Sequence, residues 1–420
     1  MVKTFCYSAV TFLLAIGASQ TANCETLLIK AARYLDVDAG RLVSPAILLI
    51  RDGVIAEVNP AIEPIVDQVI DLGQLTLSPG LIDVHTHLTL DLAADGQANA
   101  LEMTESDFAL LAAANARKTL DAGFTTIRDL GAPAFVDVAV ARAIRNGIAV
   151  GPDVIAAGHA VGITGGHCDV TGLAPGILEG GIQAGIGDGP FELIKAVRYQ
   201  IKHGAQVIKI CATSGVLSNE ATVGAQQTSA EELTAAVEEA HRHGLKIAAH
   251  AVGEAGIIAA ANAGVDSIEH ASMLGPEAIK AIKANGTYVV PTLYLLNAVN
   301  PQSLPPKMRK KGELVREYAF SSFAAALKSD LKIAFGTDAG VFPHGQNARE
   351  LSTRVTFGQL PIEAIRGATI YASDLLGLPD RGRIRVGMRA DLIAITGDPI
   401  ADVSRFQDVR FVMKAGVKYK

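Results

Sequence analysis

Residues 246–270 read KIAAHAVGEAGIIAAANAGVDSIEH, and their pattern decides the fold. Lys246–His250 is a short apolar run ending in a histidine, and Ser267–His270 is another. Between them, Gly253–Ala263 is a stretch of helix-forming residues closed by a glycine. Strand, helix and strand in that order make a βαβ unit, whose two strands lie parallel. The alternation extends outward from Ser78-Pro79-Gly80 to about Gly377. Further strands are expected at Leu81–His85, Thr125–Arg128, Asp153–Ala157, Val207–Cys211, Tyr288–Thr292 and Ile333–Gly336. Helices are expected at Ser106–Ala122, Pro190–His203, Ser229–His243, Pro276–Asn285 and Leu314–Asp330, with Ser106 and Ser229 as N-caps. Near-continuous apolar strands alternating with helices require a parallel sheet buried on both faces. Eight such strands close a (β/α)8 TIM barrel of the α/β class.

The two ends of the chain follow another pattern. Leu27–Ile29, Ala46–Ile50, Val54–Val58 and Val69–Leu72 are rich in β-formers, and Arg51-Asp52-Gly53 is a hairpin signal. Arg383–Val386, Asp391–Ile395 and Val409–Met413 read the same way, with turns at Gly387 and Gly416. These strands are expected to join as one discontinuous β-sandwich. The division is then residues 1–24 as a leader, 25–78 and 379–420 as the sandwich, and 79–378 as the barrel.

Of the 420 residues, 49% are hydrophobic and 19% charged, which supplies a large core and excludes a disordered chain. A formal net charge of −6 offers no basic surplus for phosphates, so no nucleic-acid partner is expected. Lys3, the mostly apolar run Phe5–Gly17, and Ala22-Asn23-Cys24 before Glu25 read as a secretory signal with cleavage after Cys24. The apolar run is too short for a membrane span, so a periplasmic or secreted protein is expected. Cys6 and Cys24 would leave with the leader. Cys168 and Cys211 remain, and two cysteines in a chain this long are expected to be small packing residues.

The chemistry lies at the expected C-terminal ends of strands, where barrel enzymes keep their active sites. His85 and His87 form His-Thr-His, and residues i and i+2 on a strand point the same way. They are either two ligands of one ion or two ordinary histidines. Lys209 lies in the apolar run Val207-Ile208-Lys209-Ile210-Cys211. A buried ammonium must be paired or changed. Either an acid pairs with it, or carbon dioxide converts it to an anionic carbamate able to bridge two metal ions. His250, His270 and Asp338 also fall at strand ends. Imidazole and carboxylate donors suit Zn2+ first, with Mn2+, Co2+ or Fe2+ as alternatives.

Pro79-Gly80-Leu81-Ile82-Asp83-Val84-His85-Thr86-His87, strand-borne Lys209, His250, Ser267-Ile268-Glu269-His270 and Gly336-Thr337-Asp338 resemble the amidohydrolase superfamily. The stretches Gly162–Asp169, Ile208–Val216 and Phe342–Ala348 and the ending Phe411–Lys414 are similar to its imidazolonepropionase-related dipeptidases, which include Xaa-Arg/Lys carboxypeptidase-like and Xaa-Pro enzymes. The resemblance implies one metal held by His85, His87, Lys209 and Asp338, and a second held by Lys209, His250 and His270. Carboxylated Lys209 and a hydroxide would bridge them. Asp338 would relay the proton to the leaving nitrogen. His167 would donate to the carbonyl oxygen or the substrate carboxylate, or else serve only to steady its glycine-rich loop.

Three weaker positions, His159, Tyr294 and His344, are expected near the mouth, in contact with substrate or packed at the rim. His203, His241 and His243 stand at helix ends and receive no catalytic role. Some relatives that take a C-terminal Arg or Lys carry acids where this chain has Thr292 and Gln346, and Val252 replaces a common His or Tyr. The expected substrate is therefore a dipeptide with a neutral or apolar C-terminal residue, proline included. An N-acyl-amino-acid or cyclic-amide hydrolase is the alternative. A binding protein with a degenerate site is disfavoured by the full ligand set. The sequence leaves self-association open.

Overall fold

The computed structural model describes residues 26–91 and 102–420, so the expected leader lies outside the described residues. The first part of the chain forms seven short strands: β1 (Thr26–Ala31), β2 (Arg33–Asp36), β3 (Arg41–Val43), β4 (Ala46–Arg51), β5 (Val54–Val58), β6 (Gln68–Asp71) and β7 (Thr76–Pro79). Asp52 and Gly53 both take positive φ, 52° and 75°, between the antiparallel strands β4 and β5. That pair of left-handed residues is what a tight two-residue hairpin needs.

Seven parallel strands follow, in two sheets. The first holds β8 (Leu81–Thr86), β9 (Phe124–Asp129) and β10 (Asp153–Ala156) in the order β10-β9-β8. The second runs β11 (Val207–Cys211), β12 (Lys246–Ala251), β13 (Ser267–His270) and β14 (Tyr288–Val290) in sequence order. Main-chain hydrogen bonds cross from one sheet to the other. Gln206 N donates to Ala156 O (2.7 Å), Val161 N to Lys209 O (2.7 Å) and Cys211 N to Val161 O (2.9 Å). Apolar side chains of the second sheet, such as Ile208 and Ile247, share a buried cluster with Leu193, Leu233 and Ile257 of the flanking helices.

The eighth expected strand, Ile333–Gly336, is not a strand. It still touches both sheets: Ala334 N donates to Val289 O (3.0 Å) and Val84 N to Phe335 O (2.9 Å). Phe335 N is diverted to Gly367 O (3.0 Å), and just past the run Thr337 N goes to the Asp83 carboxylate (3.1 Å). A regular ladder therefore does not form. Gly336 is needed here, because a Cβ would stand 2.8 Å from His85 Cβ.

The C-terminal strands are β15 (Leu392–Ile395), β16 (Val409–Lys414) and β17 (Val417–Lys418). They return to the start of the chain in a six-stranded sheet, β17-β16-β15-β7-β2-β3, with Leu392 opposite Pro79. Leu27, Ile29 and Leu48 of the four-stranded sheet β5-β4-β1-β6 share one buried cluster with Leu392, Phe411 and Met413. The expected strand Arg383–Val386 is bends and turns instead. Gly382 and Gly387 break its extension at φ 80° and 84°, and the flanking Arg381 and Arg389 reach across to Asp153.

Helices stand at Glu105–Asp121, Gly189–Lys202, Ala230–Arg242, Glu254–Ala263, Pro276–Asn285 and Pro306–Lys328. Ser229 caps its helix in a reciprocal box with Glu232. The first helix is capped by Thr104 with Asp107, not by Ser106, because Thr104 has the acid three residues on. The last helix begins eight residues before the expected Leu314, at Pro306, where proline fits a first turn that has no use for its missing N–H. Among the described residues no helix is long and apolar enough to cross a membrane.

Candidate active site

His85, His87 and Asp338 bring donor atoms within 4.8 Å of one another. Both Nε2 atoms face the same Asp338 oxygen, at 3.5 Å and 3.4 Å. Their Nδ1 atoms are engaged elsewhere, with Glu269 Oε2 (2.8 Å) and Gly131 O (3.1 Å). An imidazole that donates from Nδ1 keeps the lone pair on Nε2. Burial, reinforced by Lys209, holds both rings below the ordinary histidine range and so favours the neutral form that binds metal.

His250 and His270 complete the group. The His85 and His270 rings lie 5.1 Å apart and those of His250 and His270 4.8 Å apart. Both are pushed down mainly by burial. His270 Nδ1 lies 2.8 Å from Thr292 Oγ1, which fixes its ring. Buried His250 Nε2 has no hydrogen-bond partner among the described residues. An orphaned imidazole nitrogen beside three other neutral imidazoles is the arrangement a divalent cation satisfies. The residues present therefore fit metal. Lys209 sits in their midst, and burial draws its amine down to about 8 against the opposing pull of Glu269 and Asp338. One cavity of about 460 Å³ is lined by His85, His87, Lys209, His250, His270, Asp338 and His167.

The backbone aims several of these side chains at a cost. His270, Thr292 and Asp338 all have positive φ, at 73°, 47° and 63°. Non-glycine residues take this region rarely, and sites over-determined by their surroundings are where they persist.

A second layer of residues carried a signal that the sequence reading did not use: charges inside apolar strands. Arg128 and Glu269 are both fully buried, with their side chains 2.9 Å apart. Ser267 Oγ also donates to Glu269 (2.5 Å), and Glu269 in turn takes His85 Nδ1. Asp83, two residues before His85, receives His85 N, Thr337 N, Thr337 Oγ1 and Asn347 Nδ2. Burial nevertheless pushes its carboxyl up to about 7.

His167 is brought to the cavity by a third set of contacts. Its ring lies 4.1 Å from that of His250, and Nδ1 is 2.8 Å from Ser218 Oγ. Gly215 lies flat against it: a Cβ there would stand 2.2 Å from the ring. Buried Lys311, reaching in from helix Pro306–Lys328, donates to Gly215 O (2.7 Å) and Ser218 O (2.6 Å) and so pins this loop. Burial lowers His167 to about 4.

Cys168 and Cys211 are not mere packing residues; they form a disulfide. The bridge ties the His167 loop to the end of β11, two residues past Lys209, and both cysteines line the cavity. They stand 43 positions apart, and they meet because Val161 pairs with Ile210 and carries the following loop alongside β11. Closing a loop of that length stabilises by about 3–4 kcal/mol in the chain-entropy picture. Cys168→Ser should lower the urea midpoint accordingly and loosen His167. An unchanged midpoint would show that the loop is held without the bridge.

The three rim candidates do not line the cavity. His159 Nε2 accepts from Ala134 N (3.1 Å) and its ring packs edge-on against Phe135. His344 Nε2 donates to His87 O (3.1 Å), with Nδ1 2.9 Å from Thr119 Oγ1, so it braces the His87 backbone. Tyr294 donates its hydroxyl to Gln346 Oε1 (3.2 Å) and borders a separate hollow. Gln346 is thus spent on Tyr294 and is no part of the cavity wall, whereas Thr292 and Val252 do line it.

The chain is similar to several known proteins. Ochratoxinase of Aspergillus niger is 36% identical over 368 residues, covering 82% of this chain and 75% of that protein. A solved Xaa-Pro dipeptidase with bound methionine superposes with a TM-score of 0.90 at 35% identity, covering 94% of this chain and all of the other. A prolidase complexed with N-methylphosphonate-L-proline gives 0.85 at 28% identity, covering 94% and 99%. Relatives of this kind carry a TIM-barrel-type fold. With residues 76–418 matching the family's model, the chain belongs to the amidohydrolase family and is a metal-dependent hydrolase of C–N bonds.

Proposed function

We propose that the protein is an exported binuclear dipeptidase or carboxypeptidase that releases a neutral or apolar C-terminal amino acid. The observation that carries this reading is the cavity itself. Its wall beyond the metal-binding side chains is mainly apolar, and Asp338 is the one acid among the described residues that line it. A cationic substrate side chain would find no counter-charge there.

His85, His87, Lys209 and Asp338 would hold one ion, and Lys209, His250 and His270 the other, with zinc the best match to the donors. Such ions supply Lewis-acid polarisation of the amide carbonyl and acidification of a water. Asp338 accepts the proton lost from the attacking water and returns it to the leaving nitrogen. His167, kept neutral by burial, donates from Nε2 to the carbonyl oxygen while Ser218 holds Nδ1. Glu269 keeps His85 in the tautomer that leaves Nε2 free. A lysine near 8 is partly an unprotonated amine at neutral pH, the form that adds carbon dioxide with loss of a proton, and this supports carboxylation of Lys209.

The hydrogen bonds that cross between the two parallel sheets support their closure into one eight-position barrel over residues 79–378. The β7–β15 pairing supports a sandwich made of 25–78 and 379–420. The Cys168–Cys211 bridge supports export, since such bonds persist in oxidising compartments.

The test uses zinc-reconstituted protein in bicarbonate, with dipeptides and N-acyl amino acids whose last residue varies among Pro, Phe, Leu, Asp, Arg and Lys. Ochratoxin, indicated by the fungal relative's name, joins the panel. Amino-acid release should favour Pro or apolar residues over Arg and Lys by at least about tenfold. The opposite preference would refute the neutral-pocket argument, and activity on N-acyl amino acids alone would replace the peptidase reading by the acylase one.

A further inference from the structure

We infer that Arg316 binds the free carboxylate of the substrate and thereby restricts the enzyme to acyl-amino acids with an unblocked C-terminus. This inference rests on the amide-hydrolase reading of the cavity. Arg316 lies on the helix Pro306–Lys328, next to buried Val315, and lines the same cavity as the metal-binding side chains. Two other cations of this helix are already committed. Lys311 is bound to two carbonyls of the His167 loop, and Arg309 to the carbonyls of Pro301, Gln302 and Leu304. Arg316 is only partly buried and has no hydrogen bond or ion pair among the described residues.

What surrounds it defines the ligand. Leu295, Leu296, Val299, Leu304 and Val315 line the same cavity. Gly312, one helical turn before Arg316, lines the cavity as well, and a Cβ there would meet only Val216 and Leu304, at 3.6 Å and 4.0 Å. A planar cation beside an apolar wall matches a carboxylate attached to an apolar body, which it can take in bidentate fashion. A cavity of about 460 Å³ accommodates a molecule of dipeptide size. The amide would then point toward the histidines while the carboxylate stays with Arg316. The Val252 side chain, which cannot donate a hydrogen bond, lines the cavity too and offers a carboxylate no partner.

The experiment measures binding as well as turnover. N-methylphosphonyl-L-phenylalanine and its C-terminal carboxamide, neither of which carries a scissile carboxamide bond at the phosphonyl centre, are titrated calorimetrically into zinc-loaded wild type, Arg316→Gln and Arg316→Lys. Wild type should prefer the acid by about 10- to 100-fold. Arg316→Gln should abolish that preference by weakening the acid alone, and Arg316→Lys should restore part of it. For hydrolysed substrates the loss should appear in KM with kcat nearly kept. An equal preference in wild type and Arg316→Gln, or none in wild type, overturns the inference. If the preference depends on Arg316 while no amide is hydrolysed, the carboxylate site stands and the proposed activity falls. If peptides are hydrolysed and Arg316→Gln leaves KM unchanged, the activity stands and the role of Arg316 falls.

Discussion

Asp338→Asn should lower kcat/KM by at least about 10³-fold while leaving the fold intact. Asparagine nearly matches the carboxylate in shape, so the packing around it changes little. What disappears is the charge facing two imidazole nitrogens at 3.5 Å and 3.4 Å, together with the ability to carry a proton. The side chain is buried, and its carboxyl is raised above the usual carboxylate range by that burial, with His87 and Lys209 pulling it back. A carboxyl moved toward neutrality is better matched to giving a proton back than an ordinary aspartate. Two measurements separate its roles: metal content by atomic emission and turnover of a dipeptide. Loss of one equivalent of metal marks the ligand role. Full metal with lost turnover marks the proton role. Turnover within tenfold of wild type at full metal would remove Asp338 from proton transfer.

Glu269→Gln should destabilise the protein by about 3–5 kcal/mol, the effect expected when one partner of a buried ion pair is removed. Both Arg128 and Glu269 are fully buried, and each makes further contacts: Arg128 with Val84 O and Ser267, Glu269 with Ser267 and His85. A neutral amide leaves the guanidinium charged and uncompensated in the middle of the sheet. It also loosens His85, so metal affinity should fall along with stability. Denaturant unfolding of the metal-free protein isolates the first effect. Adding Arg128→Leu to Glu269→Gln should recover part of the loss, because the stranded charge is gone. A single variant within 1 kcal/mol of wild type would mean that water, not protein, satisfies the arginine.

The strands that carry these residues were readable because a buried parallel strand must be apolar over its whole length. Val207–Cys211 and Ser267–His270 have the bounds expected of them. Ile333–Gly336 was misjudged because the apolar run is real but Phe335 N goes to Gly367 and the next donor, Thr337 N, to Asp83. Four of the six metal-binding candidates, His85, His87, His250 and His270, stand at or just past strand ends, where chain geometry fixes how side chains point, whereas Lys209 lies inside β11 and Asp338 follows a segment that is not a strand. The rim was not. His159, Tyr294 and His344 sit in loops near the mouth, yet their partners are Gln200, Gln346 and Thr119, residues between 41 and 225 positions away. No local pattern encodes such meetings, nor the approach of Cys168 to Cys211 or of Lys311 to the His167 loop. Glu269 and Arg128 were within reach, since a charge in an apolar strand must be answered by another.

The Cys168–Cys211 bridge also bears on how the metal is acquired. Joined to each other, the two sulfurs are indifferent neighbours of a site made of nitrogen and oxygen donors. Reduced, they are two soft thiols on the wall of the same cavity, and a thiolate competes well for zinc. The order of events then decides the product. Chain that oxidises before it meets zinc presents one set of ligands; chain that meets zinc while reduced presents two rival sets. Protein made in a reducing cytoplasm and metallated there would be a mixture of isomers differing only in where the ion rests.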